Sequence, residues 1–291
     1  MYLDIDGTTP VLIQGITGRA GQAHMRLMRG YGTNIVAGVS TSRAVAEIDG
    51  VPVFPDCRAA VAAIGAVASI AMVPALDVQR AIREAVEAGI RLIVTIAEGV
   101  PVHAALQALR MTREADVTWI GASTPGLAIP GKAKLGFLPD VTLLPGRLGV
   151  MSKSGTLSYE VCYRLAQRGI GQSAWIGVGG DQVKGTRFAE LVPYFAARPD
   201  TDGLLVVGEI GGTEEEELAA ALRAQHYDRP VFALIAGATA REGVVMGHAG
   251  AMIHGDSGTI ASKRAALERA GARVFATMGE IVEAVAETLR P

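Results

Sequence analysis

Three short stretches hold the residues best suited to chemistry. "MGHAGAMIHG", residues 246–255, sets His248 between Gly247 and the pair Ala249-Gly250. "VGEIGGTEEEE" sets Glu209 at the end of an apolar run and ahead of two glycines. "SKSGTLSYE" puts Ser154, Gly155 and Thr156 where a strand gives way to a helix. A carboxylate that accepts a hydrogen bond from one imidazole nitrogen leaves the other nucleophilic. Glycines around a histidine let the ring swing and leave room for a bulky adduct. A helix N-terminus framed by hydroxyls and a glycine is a cradle for phosphate. Together these suit a histidine that becomes phosphorylated, His248, supported by Glu209. The plainer readings are a turn histidine, an ordinary N-cap at Ser154, and a solvated acidic helix start at Glu214–Glu217 that favours its own dipole. His24, His103, His226 and His254 lack partners at ligand spacing, so no metal site is expected.

A fourth stretch, "QGITGRAGQ", places Gly15, Gly18 and Gly21 between a first strand and a first helix. Backbone N–H groups there face an anion, and glycines permit close approach. An NAD site wants an acid about 20 residues on, at the end of the second strand. Here that strand ends "NIVAGVSTSR", with Ser40, Thr41, Ser42 and Arg43. A basic, hydroxyl-rich end suits a phosphate on the ribose, as in NADP or coenzyme A. The alternative for Arg43 is a solvated surface residue.

These loops need strands to carry them. Apolar runs such as "VASIAMV" and "DGLLVVGEIGG" alternate with helical patterns such as "ALDVQRAIREAVEAG" and "TEEEELAAALRAQ". That alternation predicts parallel sheets covered on both faces. Between Thr124 and Gly146 the periodicity lapses among prolines and glycines, which marks a boundary. The expected organisation is α/β: two doubly wound domains, residues 1–123 and 147–291, joined by a linker at 124–146.

The bulk numbers agree. With 291 residues, 49% hydrophobic, 36 glycines and 5% aromatics, the chain suits closely packed α/β domains. A net charge of -2 without runs of one sign argues against a nucleic-acid or acidic-membrane partner. Cys57 and Cys162 sit in unrelated contexts and form no disulfide framework. Neither a signal peptide nor a membrane span is read, so a cytoplasmic location is expected.

"VLIQGITGRAGQ", "TIAEGVP", "SKSGTLSYE", "GVGGD", "GEIGG" and "MGHAGAMI" stand in an order and spacing that resembles the alpha subunit of succinyl-CoA synthetase. The broader acid–CoA ligase group, including malate–CoA ligase, shares them, and the resemblance covers essentially the whole chain. It implies an N-terminal Rossmann-like domain binding coenzyme A and a C-terminal flavodoxin-like domain carrying the phosphohistidine. By that match His248 takes the phosphoryl group and Glu209 supports its ring. Ser154, Gly155 and Thr156 open the phosphate-binding helix. Thr17, Gly18, Arg19 and Ala20 form the first coenzyme A loop, and Ile96, Ala97 and Glu98 the second. Arg43 falls where the family has a coenzyme A-contacting lysine, and Tyr159 where it has a substrate-side tyrosine. ATP or GTP, with Mg, is implied to be bound mainly by a separate ATP-grasp beta subunit.

The departures are specific. "STSRAVAEIDG" stands where the family has "TPGKGG", "GASTPG" replaces "GPNCPG", and Ala97 replaces a common threonine. They bear on coenzyme A binding and on the identity of the acid. Three alternatives stay open: a ligase of the same mechanism for another acid such as malate, a non-catalytic coenzyme A- or nucleotide-sensing paralogue, and an NADP-dependent reductase.

Overall fold

Strands β1 (Val11–Gln14), β5 (Ala68–Ala71) and β6 (Leu92–Thr95) bury every residue, as strands of a sheet covered on both faces must. In the computed structural model, which describes residues 1–42, 45–237 and 258–289, they form the middle of a first sheet. Its other strands are β2 (Ile35–Val39), β3 (Glu47–Ile48), β4 (Val51–Phe54) and β7 (Thr118–Ile120). The order is β3-β4-β2-β1-β5-β6-β7, parallel throughout except where β3 pairs antiparallel with β4. From β1 the chain moves outward through β2 and β4, then returns to the other side of β1 at β5. This is the Rossmann arrangement, with its switch point between β1 and β5.

The covering helices are α1 (Arg19–Tyr31), α2 (Cys57–Ile64), α3 (Val78–Glu87) and α4 (Val102–Glu114). Leu12, Ile82, Ile93 and Trp119 form part of their shared core with the sheet. Small residues set the spacing: Ala81 and Ala85 of α3 and Ala105 and Ala108 of α4 are buried. Gly21 lets α1 lie against the loop before it, since a Cβ there would meet the Gly15 carbonyl.

Residues 124–146, the segment read as a linker, hold an antiparallel hairpin: β8 (Gly126–Ile129) and β9 (Ala133–Gly136). Gly126 and Gly136 face each other, and a Cβ on either would run into the opposite backbone. The glycines that hid the strands are therefore the residues that let them approach. Thr33 ties the hairpin down: its Oγ1 donates to the Lys134 carbonyl at 2.8 Å and accepts from the Lys134 N–H at 3.1 Å.

The chain divides into Met1–Leu138 with Val183–Gly185, and Pro139–Gln182 with Thr186–Pro291. The second unit has five parallel strands among its described residues: β10 (Pro145–Ser152), β11 (Gln172–Gly177), β12 (Gly203–Glu209), β13 (Val231–Ala236) and β14 (Arg273–Phe275). Their order is β14-β13-β12-β10-β11. Numbered within the unit this is 5-4-3-1-2, the flavodoxin-like order, with its switch point between β10 and β12. Helices α5 (Gly155–Ala166), α6 (Phe188–Ala197), α7 (Glu214–Ala224), α8 (Ile260–Arg269) and α9 (Met278–Thr288) cover it. Polar caps mark their starts: Ser154, Thr259 and Thr277 accept from the third residue along. No described helix is long and apolar enough to cross a membrane.

Two glycines of α1 separate packing from propensity. Gly21→Ala overpacks the contact with Gly15 and is expected to lower stability by about 1–3 kcal/mol. Gly30→Ala, with no heavy atom within 4 Å of the added Cβ, is expected to raise it by about 0.5–1 kcal/mol. Denaturant midpoints of the two variants check both signs.

Candidate active site

In doubly wound sheets ligands sit beyond the carboxyl ends of the strands, at the switch point. In the first unit a cavity of about 190 Å³ opens there, lined by Gly15 and Thr17 after β1, Ser40 and Thr41 after β2, and Val73 and Pro74 after β5. The chain leaves β1 through Gly15, whose φ is +79°, and a Cβ there would stand 2.5 Å from the Met72 carbonyl oxygen. Glycine is required on both counts. Gly18 caps α1 in extended conformation, and Gly18 N–H donates back to the Gly15 carbonyl at 3.1 Å. Thr17 Oγ1 and Ser40 Oγ lie 3.0 Å apart, and Ser40 Oγ accepts from the Ser42 N–H at 3.2 Å. The second strand therefore ends in hydroxyls where an NAD site has its acid.

The remaining wall carries charge of both signs. Arg80 and Asp77 line the cavity and pair at 2.8 Å. Glu84, also on the wall, accepts from the Cys57 N–H at 2.7 Å, and burial followed by this carboxylate pushes the Cys57 thiol well above its usual range. Gln14, absent from the sequence-based set, is buried at the floor; its Nε2 donates to the Ala81 carbonyl at 3.0 Å and its Oε1 accepts from Ser69 Oγ at 2.9 Å.

Of the residues expected to hold coenzyme A, Thr17 lines this cavity and Gly18, Arg19 and Ala20 open α1 beside it, exposed at its N-terminus. Ile96, Ala97 and Glu98 follow β6 at the same edge of the sheet but do not line the cavity. The Ala97 carbonyl accepts from the Ser123 N–H at 2.9 Å, so this loop is tied to the "GASTPG" segment. Arg43 lies outside the described residues.

In the second unit the parallel register aligns the candidate residues. Ser152 of β10 stands opposite Val207 of β12, and Lys153 N–H donates to the Val207 carbonyl at 3.0 Å. Two residues further on, Ser154 and Glu209 leave the same edge from adjacent strands. Ser154 caps α5, its Oγ accepting from Leu157 N–H at 3.3 Å. Gly155 and Thr156 are the first residues of the helix, where N–H groups have no preceding helical carbonyl to bond. Tyr159 is one turn on, its ring 6.0 Å from that of Trp175. Burial pushes its phenol up.

Glu209 is 7% exposed. Beneath it lies a charge cluster the sequence reading did not contain. Lys153 Nζ is 2.9 Å from Glu215 and 3.4 Å from Glu214, and Lys263 Nζ bonds the other oxygen of Glu215. Glu214 and Glu215, expected to be a solvated helix start, are instead 3% and 0% exposed. The reason is that α7 begins against β12: a Cβ on Gly208 would stand 2.5 Å from Glu215 Oε1, which leaves water no room. Burial opposes the charge on Lys153, but Glu215, Glu214 and Glu209 outweigh it and push the ammonium up to about 12. Burial likewise opposes the charge on Glu215, and Lys153 and Lys263 outweigh it and hold the carboxyl below its ordinary range. Lys153 gave a weak signal, a lysine directly after an apolar strand. Lys263, in "ASKRAALER", reads as a solvated helix residue and gave none.

The segment 238–257, which contains His248, lies outside the described residues. Both of its neighbours dock on the loop after Glu209. Ile210 N–H donates to the Ala236 carbonyl at 3.0 Å, and Gly211 N–H donates to the Gly258 carbonyl at 2.8 Å. Gly237 and Gly258 have positive φ, and a Cβ on either would meet Ile210 or Gly212.

Residues 6–99 match the family described as CoA binding domain, and residues 151–273 match the family described as CoA-ligase. Succinate–CoA ligase [ADP-forming] subunit alpha 2 of Archaeoglobus fulgidus is 45% identical over 289 residues, 99% of this chain and 100% of that protein. Malate–CoA ligase subunit alpha of Methylorubrum extorquens is 38% identical over 293 residues, 99% of both chains. Among solved structures, ATP citrate lyase from Methanothrix soehngenii, in complex with citrate and coenzyme A, superposes with a TM-score of 0.90 at 24% identity. That match covers 99% of this chain and 51% of that one, and it shows the fold.

Removing one member of the buried cluster leaves uncompensated charge. Glu215→Gln is expected to lower stability by about 3–5 kcal/mol. Because the folded state holds Glu215 below its ordinary value of 4.5, its contribution is complete above that pH and is lost as pH falls further. The gap between the parent and Glu215→Gln should therefore close below pH 4.5, which thermal denaturation across pH checks.

Proposed function

We propose, from the premise that this chain belongs to the acid–CoA ligase alpha-subunit family, that it accepts a phosphoryl group on His248 and passes it to a carboxylic acid. The observation that carries this reading is the shared edge of β10 and β12. There the start of α5, the Glu209 carboxylate and both neighbours of the segment containing His248 meet.

Each of these groups has a chemical task. Glu209 accepts a hydrogen bond from one ring nitrogen of His248, leaving the other as nucleophile. That nitrogen attacks the terminal phosphorus of ATP or GTP, forming N–P as the bond to the nucleoside diphosphate breaks. An oxygen of the acid then takes the phosphoryl group, forming O–P as N–P breaks and giving an acyl phosphate. The acyl carbon next takes sulfur, and inorganic phosphate leaves with the oxygen. The N–H groups of Gly155 and Thr156, at the positive end of α5, stabilise the phosphoryl oxygens. We assign Tyr159, on the same helix, to the acid.

Coenzyme A supplies the thiol. The first cavity suits its phosphates, with Gly15 admitting close approach, hydroxyls on Thr17, Ser40 and Thr41, and the N-terminus of α1 formed by Gly18, Arg19 and Ala20. The hydroxyl-rich end of β2 favours this over NAD. Arg43, Ile96, Ala97 and Glu98 complete the set we assign to it. The nucleotide and Mg belong to an ATP-grasp partner subunit. The alpha-subunit names of the relatives support the need for a partner. Succinate is the leading acid, and malate the second reading, favoured by the match to the malate ligase.

Incubation of the chain with its partner subunit, ATP and magnesium should add one acid-labile phosphoryl group by intact mass. His248→Ala should abolish the gain; an equal gain in that variant, or none in the parent, would sink the proposal. At the other site, Thr17→Val and Ser40→Ala should each weaken coenzyme A binding by about 0.5–1.5 kcal/mol, read by calorimetry, with phosphorylation of His248 unchanged.

A further inference from the structure

Lys263 of α8 lies beneath the loop that follows Glu209. Its side chain is fully buried, and its Nζ donates to the Glu209 carbonyl at 2.7 Å, to the Gly211 carbonyl at 2.6 Å and to Glu215. Those three bonds use the three donors of an ammonium. Glu215 completes the tie, for its Oε1 accepts from the Glu209 N–H at 3.1 Å and pairs with Lys153. Both the N–H and the C=O of Glu209 are therefore bonded within this cluster. The Gly211 N–H meanwhile receives the chain at Gly258, one turn before α8 begins to present Lys263.

A buried lysine is costly unless each proton has a partner. A methionine would fill the same space, but it would leave the Glu215 carboxylate short of one cation and the Glu209 and Gly211 carbonyls without this donor. Two of its three bonds go to backbone carbonyls of one loop, and that loop bears Glu209 and receives residues 237 and 258.

We propose that Lys263 is a positioning residue for phosphoryl transfer: through its bonds to the carbonyls of Glu209 and Gly211 it fixes the Glu209 carboxylate and the two neighbours of residues 238–257 in one geometry. It touches no substrate and acts through Glu209. The proposal rests on the function assigned above. Misplacement of a reacting group by about 1 Å costs on the order of 100-fold in rate, and loss of an outer hydrogen-bond partner about 10–100-fold.

The test uses the full chain with its nucleotide-binding partner. In Lys263→Met the single-turnover rate of phosphoryl incorporation from ATP should fall about 10–100-fold. The affinity for coenzyme A, set in the first unit, should stay at the parent value, and parent-like amide exchange in β10 and β11 should report an intact second unit. Amide exchange over residues 209–212 should quicken at least about tenfold, in keeping with local opening. If Lys263→Met fails to fold, Lys263→Met with Glu215→Gln removes one charge of each sign and keeps an acceptor for the Glu209 N–H. The same losses are expected in that double variant. Parent-like phosphorylation together with parent-like exchange over residues 209–212, in either folded variant, would overturn the proposal. A parent chain that takes no phosphoryl group would instead overturn the assigned function, and the exchange measurement would still decide whether Lys263 orders the loop.

Discussion

Glu215 is the point on which the second unit turns. Its carboxylate is fully buried and meets two lysines and the backbone of Glu209. A bare carboxylate in such a place is costly, and two cations and an N–H make it tolerable. The arrangement joins three regions that are far apart in sequence: Lys153 after β10, Glu209 at the end of β12 with Glu215 at the start of α7, and Lys263 in α8. Every one of them leaves or approaches the same edge of the sheet. The site chemistry is thus set on a polar foundation whose bonds must all be made at once.

The first unit reaches its site differently. There the constraint is steric, with Gly15 at positive φ against Met72 and Gly21 against Gly15. The polar groups of the cavity, Thr17 and Ser40, are bonded to each other across two strand ends. One unit shapes its strand-end loops by leaving out side chains, the other by pairing buried charge. Both place the result at the switch point of a parallel sheet, where two neighbouring loops turn away from one another and leave a crevice.

The chain's departures from the family pattern fall mostly in the first unit. Ser40 and Thr41 line the cavity at the start of "STSRAVAEIDG", the stretch that stands where the family has "TPGKGG". The "GASTPG" segment is held to the loop after β6 by the bond from Ser123 to Ala97. The residues of the second unit that carry phosphoryl chemistry in the proposed function, Ser154 to Thr156 and Glu209, keep the pattern. That division matches a reaction in which the phosphoryl step is common to several acids and recognition is tuned separately.

The alternation of apolar runs and amphipathic helices was legible because a strand covered on both faces has no polar face to show, and a helix on a sheet has one. From it came both doubly wound units, the strand-end position of Glu209 and the helix starts at Gly18 and Ser154. The hairpin of 126–136 was not legible, because the glycines that allow its strands to approach look like breaks in a pattern. Nor were the strand orders, which depend on non-local pairing. Glu214, Glu215 and Lys263 carried charges that a helical pattern assigns to solvent. Only the tertiary structure decided otherwise, because burial of a charge depends on partners brought by other strands and helices. Local sequence specifies each residue's chemistry, whereas the packing of distant elements specifies whether that chemistry meets water or a counter-charge.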